Sequence, residues 1–171
     1  MDAKELLLTR RSVRSFTDKR VDRDVLKEAL RVSTYAPTGM GRQSPLLVCV
    51  SDDEAIETLK KLNASILGMD IDPYYGAKTI ILAFGKAERV TCVEDATSLL
   101  VYLGLALYGE GIGSCWVHRM KQVFELPEGK KLIESWDLPE GYVAVGSLAV
   151  GYPDGEHPTV AERKKDYIIY K

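Results

Sequence analysis

The chain has 171 residues, of which 46% are hydrophobic and 28% charged, and this is the size and composition of one globular domain over residues 1–171. Its net charge of −2 excludes the basic footprint of a nucleic-acid-binding protein, so no nucleic-acid partner is predicted. The longest apolar run, residues 99–108, is far short of the roughly 20 residues that a spanning helix needs, so no membrane partner is predicted.

The start of the chain and its cysteines bear on the compartment. Residues 1–5 are charged and lack the apolar stretch of a signal peptide. Cys49, Cys92 and Cys115 are odd in number and have no paired spacing, which is typical of a reducing compartment. We therefore expect a soluble, cytoplasmic protein.

The first half of the chain predicts three helices and two strands. Asp2 and Glu5 resemble a capping box at the start of a short helix. Asp22 can cap a second helix, which Pro37 ends because proline cannot continue a helix. Hydrophobic spacing then predicts a strand over 46–50, a helix over 53–67 and a buried strand over 78–84.

The second half begins with a fourth helix, about 93–108, that is apolar nearly all round. Such a helix belongs at the centre of a fold or in a dimer interface. The next elements are a strand over 114–117, short helices over 121–124 and 129–135, and a strand over 142–150. A polar arm, about 153–171, ends in a strand-like segment over 167–170. Strands and helices do not alternate regularly, which predicts the α+β class.

The segment RRSVRSF (10–16) places three guanidiniums and two hydroxyls beside an apolar anchor. In an extended segment side chains alternate sides, so Arg10, Ser12 and Arg14 share one face. Two planar guanidiniums and a hydroxyl on that face suit a phosphate. The alternative is a solvated basic turn, which the cluster taken alone favours.

Few other motifs predict chemistry. With only His118 and His157, a histidine-rich metal site is nearly excluded, and no metal is predicted. A Ser–His–Asp triad stays open, although the chain has no G-x-S-x-G elbow and no Walker A motif. The glycine-rich segment 109–113 is either a helix C-cap and turn or a close approach of the backbone to a flat ligand. With so few general bases, we expect difficult chemistry to be delegated to a cofactor.

Several segments taken together resemble the FMN-dependent nitroreductase family. They occur in the order of the family and cover most of the chain: RRSVRSF (10–16), APTGMGRQ (36–43), YYGA (74–77), GEGIGSCW (109–116), and LPEGY (138–142) running to GYP (151–153). The chain departs from the family at Gly41, where asparagine is frequent, and over 42–45, where Ser-Gln-Pro-Trp is frequent. It is also short for the family.

The resemblance implies a nitroreductase-like fold, with a mostly antiparallel central sheet flanked by helices. It implies a homodimer that exchanges a C-terminal strand and builds its FMN sites at the subunit interface. The implied activity is that of an FMN-dependent NAD(P)H oxidoreductase. Hydride passes from NADH or NADPH to flavin N5 and then, in a ping-pong reaction, to a nitroaromatic, quinone or similar small-molecule acceptor.

The resemblance also assigns the FMN contacts of the N-terminal half. Within the segment Arg10, Arg11, Ser12 and Arg14, the Arg10–Ser12 end faces the phosphate and ribityl, and Arg14 lies nearer the pyrimidine edge. The loop that comes from the partner subunit supplies Pro37, Thr38, Gly39 and Gln43.

Further contacts are implied along the rest of the chain. Asn63 reaches the pyrimidine ring, and the backbone amides of Glu110 and Gly111 face flavin N5. Arg163 and Lys165 of the basic tail close on the phosphate. No side chain is assigned as a nucleophile or as another catalytic residue.

Three alternatives remain. In the first, the chain is a relative with the same fold that catalyses reductive dehalogenation or oxygen-dependent flavin cleavage. In the second, the chain is a non-catalytic FMN-binding protein, which binds the FMN phosphate but whose flavin is not reduced by a nicotinamide. In the third, the chain is a structural dimer without a cofactor, and its arginines bind only acidic partners.

Overall fold

The computed structural model describes residues 2–171. Its elements, in chain order, are α1 (Ala3–Thr9), α2 (Arg23–Ser33), a 3₁₀ turn (Gly39–Gly41), β1 (Leu46–Val50), α3 (Asp53–Leu67), β2 (Thr79–Lys86), α4 (Cys92–Gly109), β3 (Gly113–Val117), α5 (Met120–Val123), α6 (Pro127–Glu134) and β4 (Tyr142–Gly151). The helices and strands predicted over 46–150 are present, with their ends within two residues of the predicted ones, whereas α2 ends at Ser33, before Pro37, and the predicted strand over 167–170 is not formed. Asp2 and Asp22 cap α1 and α2 as predicted, each accepting backbone N–H bonds from the first turn.

The four strands form one antiparallel sheet in the order β1-β2-β4-β3. The central strands β2 and β4 pair along their whole length, with an irregularity between Ala83 and Phe84. Successive side chains of β2 point to opposite faces, so Ile80 and Leu82 enter one core while Ile81 and Ala83 enter the other. The α+β class with an antiparallel sheet between helices is confirmed.

Helix α4 lies at the centre of the molecule. With α2 it covers one face of the sheet, and α3, α5 and α6 cover the other face. By length and composition alone α4 could cross a membrane, but its inner side, including Leu100, Leu103 and Leu107, is buried against the sheet. Val93 and Val101 on its outer side are exposed. The predicted central place of this helix is confirmed.

The arginine-rich segment runs along the edge of the sheet beside β3. Val13 donates its N–H to the Ser114 carbonyl at 3.0 Å, next to a bridge between Ser12 and Ser114. Val13 is buried, and Gly113 makes room for it, because a Cβ at residue 113 would lie 2.9 Å from the Val13 side chain. Buried contacts therefore fix the position of the segment that carries Arg10, Ser12 and Arg14.

The C-terminal arm leaves β4 beside the same segment, where Phe16 and Pro153 form a bridge. Beyond residue 154 the arm forms no strand, and the residues 167–170 are 65–88% exposed. The exchange of this segment in a homodimer stays a prediction.

Candidate functional site

The three arginines at the start of the chain have different surroundings. Arg11 donates from its guanidinium to the carbonyls of Leu8, at 2.9 Å, and of Arg10. It therefore satisfies backbone acceptors at the end of α1, where a helix leaves its last carbonyls unpaired. Within residues 2–171, the side chains of Arg10 and Arg14 make neither a hydrogen bond nor an ion pair. These two cations are available to bind an anion, whereas the Arg11 guanidinium is bonded to carbonyls at the end of α1.

A cleft of about 140 Å³ opens beside Arg10 and Ser12, between β3 and α4. Its polar end is formed by these two side chains and Ser114. Its other walls are apolar or lack a side chain, and they comprise Leu100, Val101, Gly104, Trp116 and Leu148. The cleft thus joins an anion-binding end to a surface that suits a flat apolar ring.

Cys115 is a buried thiol close to the arginine-rich segment. The thiol is 3% exposed, and burial raises its pKa. The positive charge of Arg14, the hydroxyls of Ser12 and Tyr75 and the charge of Arg10 oppose this rise. The cleft brings Arg10 and Ser12 together, and the place of Arg14 on the same face stays a prediction. Cys115 has the surroundings of a small buried residue, not a reactive thiol.

The chemistry of this site fits FMN. The unpaired guanidiniums and the Ser12 hydroxyl suit a phosphate, and the apolar walls suit an isoalloxazine ring. However, sites for small molecules typically have roughly 300–1,000 Å³, and the cleft has about 140 Å³. The surface of a single chain therefore covers only part of such a ligand.

The loop over 37–43 has an unusual backbone. Met40, Gly41 and Gln43 have φ of 56°, 64° and 50°, which is the left-handed region. Gln43 donates its N–H to the Thr38 hydroxyl at 3.0 Å, and Gly39 donates to the Asp95 carboxylate at 2.8 Å. On its outer side the loop borders an open depression of about 700 Å³, to which Pro37, Thr38, Gly41 and Gln43 contribute.

Asn63 lies on the buried face of α3 and is fully buried. Its amide donates to the His118 carbonyl at 2.9 Å and accepts from the Arg119 guanidinium at 3.0 Å. Arg119 has φ of 78°, so Asn63 supports a left-handed turn between β3 and α5. A contact from the Asn63 side chain to a flavin requires one of these bonds to open, and it stays a prediction.

Glu110 and Gly111 end helix α4. Their N–H groups donate to the carbonyls of Leu107 and Tyr108, at 3.1 and 3.0 Å. Gly111 has φ of 74°, so the description of this segment as a helix C-cap and turn matches the observed backbone, with the left-handed glycine at 111 and not at 109. Both amides donate within the helix end, and their approach to flavin N5 stays a prediction.

Arg163 and Lys165 lie on the exposed arm. The Arg163 guanidinium donates to the Ala161 carbonyl at 2.7 and 3.0 Å, and neither residue lines the cleft beside Arg10 and Ser12. The single chain does not bring these two cations to the other arginines.

The contacts of two buried polar groups, Asp95 and Tyr74, were not predicted from the sequence. Asp95, on the first turns of α4, is 4% exposed and accepts bonds from the loop over 38–44. Tyr74 is fully buried, its hydroxyl lies 3.3 Å from the Ser147 hydroxyl, and burial raises its pKa. An acidic residue near a helix start is usually attributed to the helix dipole, so the sequence has no signal for the loop contact of Asp95.

The chain is similar to known proteins in sequence and in fold. The model of the nitroreductase family matches residues 7–69, which include the arginine-rich segment, the loop and Asn63. A protein of Archaeoglobus fulgidus named “Putative NADH dehydrogenase/NAD(P)H nitroreductase” is 26% identical over 156 residues, covering 89% of this chain and 86% of that protein.

Two nitroreductase structures with bound FMN have the same fold. The structure from Bacteroides fragilis is 23% identical with a TM-score of 0.90, and all of each chain is covered. The structure from Desulfitobacterium hafniense is 21% identical with a TM-score of 0.88 over 100% of this chain and 99% of that one. Iodotyrosine deiodinase bound to FMN and 3-iodo-L-tyrosine is also similar, at 21% identity, a TM-score of 0.81 and 98% coverage of both chains.

The molecule therefore has the nitroreductase fold. The resemblance of its sequence to the nitroreductase family is confirmed.

Proposed function

We propose that this protein is an FMN-dependent NAD(P)H oxidoreductase that reduces small-molecule acceptors. One observation carries the proposal: Arg10, a cation without a partner among the described residues, lies with Ser12 at the polar end of a cleft with apolar walls, and the equally unpaired Arg14 follows in the same segment. The family model covers the same segment, and similar proteins of this fold bind FMN.

The residues of the cleft have separable tasks. Arg10 and Ser12 bind the phosphate through charge-assisted hydrogen bonds, which are stronger than bonds between neutral groups. The exposed guanidinium of Arg14 makes the potential near the ring more positive and so favours the more negative, reduced cofactor. The walls around Trp116 and Leu148 exclude water from the ring. When bound, FMN supplies a two-electron carrier between a nicotinamide and the acceptor.

We propose a homodimer, because the single chain leaves the site and the sheet incomplete. The cleft is too small for FMN alone, and β1 is an edge strand with unpaired backbone groups. The apolar segment 167–170 is exposed and is long enough to pair with the edge strand of a partner. The partner would add the loop over 37–43 to the flavin, and the exchanged arm would bring Arg163 and Lys165 to the phosphate.

The test is an anaerobic absorbance titration of the purified protein with FMN, followed by NADH and then by NADPH. We expect one FMN to bind per chain and to bleach with one or both nucleotides. A nitroaromatic, a quinone and 3-iodotyrosine are then added separately, and the acceptor that restores the absorbance fastest identifies the class of substrate. The third acceptor is included because the fold is also that of iodotyrosine deiodinase.

Other outcomes contradict parts of the proposal. Bound FMN that neither nucleotide bleaches would support a non-catalytic flavin-binding protein. A chain that binds no FMN would contradict the proposed function and leave the likeness to nitroreductases as one of fold alone.

A further inference from the structure

Asp95 is a buried acid without a cationic partner among the described residues. Its carboxylate accepts from the Gly39 N–H at 2.8 Å and from the Thr91 and Ser44 hydroxyls at 3.0 and 3.4 Å. Only 4% of the residue is exposed. A buried carboxylate is costly unless hydrogen bonds satisfy it, and two of its three donors belong to the loop over 38–44. The acid therefore ties this loop to the start of α4.

The backbone of the loop is strained, so its conformation depends on contacts such as the bond to Asp95. Met40 and Gln43 have left-handed φ, which is unfavourable for residues with a side chain and persists only when surrounding contacts impose it. The Thr38 hydroxyl closes the loop on Gln43, and Tyr142 donates to the Ser44 carbonyl at 2.9 Å. The bond from Gly39 to Asp95 is the direct link between the main chain of the loop and α4.

Gly39 has no room for a side chain. A Cβ at this position would overlap the Thr91 hydroxyl, which itself donates to Asp95. The absence of a Cβ lets the backbone come close enough for its N–H to reach the buried acid. The hydrogen bond between Gly39 and Asp95 therefore depends both on the buried carboxylate and on the absence of a side chain at residue 39.

We infer that Asp95 is a positioning residue, which holds the loop over 38–44 in the shape that meets the cofactor. The inference rests on the proposed function, since it concerns the loop through which Thr38, Gly39 and Gln43 are proposed to contact FMN. Asp95 itself does not touch the cofactor. It acts through the Gly39 amide and lowers the entropy that the loop loses on binding.

The experiment compares Asp95→Ala and Asp95→Asn with a matched control, Asp52→Ala. Asp52 caps α3 by accepting from the Ala55 N–H at 2.9 Å, so its loss also removes one acid-to-backbone bond, but away from the loop. Three quantities are measured for each protein: the hydrogen-exchange protection of the Gly39 amide, the FMN dissociation constant and the thermal midpoint.

Asp95→Ala should abolish the protection of the Gly39 amide and weaken FMN binding by about tenfold, the factor that one hydrogen bond is worth. Asp95→Asn should bind FMN nearly as wild type, because the side-chain carbonyl still accepts from Gly39 and the hydroxyls of Thr91 and Ser44 can rotate to accept. Asp52→Ala should lower the thermal midpoint and leave FMN affinity unchanged.

Equal FMN affinity in Asp95→Ala and Asp52→Ala, or an unchanged Gly39 amide, would overturn the inference. If Asp95→Ala does not fold, Gly39→Ala replaces it, since the added Cβ moves the amide away from an intact acid. Gly39→Ala should then lose FMN affinity, and wild-type affinity in this variant would overturn the inference. If the wild-type chain binds no FMN, the proposed function fails, and the protection of Gly39 alone decides whether Asp95 shapes the loop.

Discussion

Arg10, Arg11 and Arg14 are chemically identical side chains within five positions, yet only two of them are unpaired. The alternation of an extended segment predicted that Arg10, Ser12 and Arg14 lie together, because Val13 between them must face the core. The separate role of Arg11 could not be predicted, since it depends on where α1 ends and on which carbonyls remain open there.

The arginines provide a matched pair of variants. Arg10→Ala should weaken FMN binding by about tenfold or more, because a hydrogen bond to a charged group contributes roughly 1.5–3 kcal/mol. Arg11→Ala should leave FMN affinity nearly unchanged and lower the free energy of unfolding by up to about 1 kcal/mol through the end of α1. Equilibrium dialysis of FMN and urea unfolding measure the two effects, and inorganic phosphate should compete with FMN. Equal losses of FMN affinity in both variants would contradict this assignment.

Arg14 is expected to act on the cofactor's potential as well as on its binding. Arg14→Ala should make the two-electron potential of bound FMN more negative, because the reduced form loses a favourable charge. Each 30 mV corresponds to about 1.4 kcal/mol for a two-electron couple. The measurement is a redox titration against a reference dye, with Arg10→Ala as the comparison. An unchanged potential and occupancy in Arg14→Ala would remove this residue from the site.

Helix α3 illustrates what can be predicted at the scale of an element. Its ends, 53 and 67, follow from hydrophobic spacing and from the cap at Asp52. The inward position of Asn63 also follows from the helical repeat, but its partners do not. The partners, His118 and Arg119, are 55 and 56 positions further along the chain, and no local pattern links them to α3. The contact of Asn63 with the turn after β3 was therefore not predictable.

Asn63→Ala should lower the free energy of unfolding by about 1–3 kcal/mol, because it removes a fully buried amide and leaves the His118 carbonyl without its donor and the Arg119 guanidinium without its acceptor. Lys61→Ala, at an exposed position of the same helix, should change it by less than about 0.5 kcal/mol. Urea unfolding of the two variants tests this. A stability of Asn63→Ala equal to that of Lys61→Ala would show that the network contributes nothing to the fold.

At the scale of the whole molecule, the sequence predicted the class and the elements but not the order of the strands. Residues 80–84 of β2 are buried on both faces, so their composition marks a central strand without naming its neighbours. The place of β1 at an edge and the detached arm are properties of the assembled sheet. The proposed dimer depends on these two features, and a single sequence does not show which chain the arm joins.

Removal of residues 155–171 should convert the protein into a monomer with weak FMN binding, because the exposed edge of β1 then has no strand to pair with. Analytical ultracentrifugation and FMN dialysis measure both effects. A double substitution, Ile168→Lys with Ile169→Lys, keeps the length of the arm and should have the same result. A truncated chain that remains a dimer with full FMN affinity would contradict strand exchange.

The position of Trp116 has a spectroscopic consequence. Its ring lies against Gly146, where a Cβ would overlap it, and it lines the cleft beside Arg10 and Ser12. Trp136, the other tryptophan, is half-buried and packs against the core on the opposite side of the sheet, in edge contact with Phe124. A Trp136→Phe variant therefore has a single indole emitter at the cleft. Energy transfer from that indole to a bound isoalloxazine would quench its fluorescence, so the chain carries an internal reporter of cofactor loading.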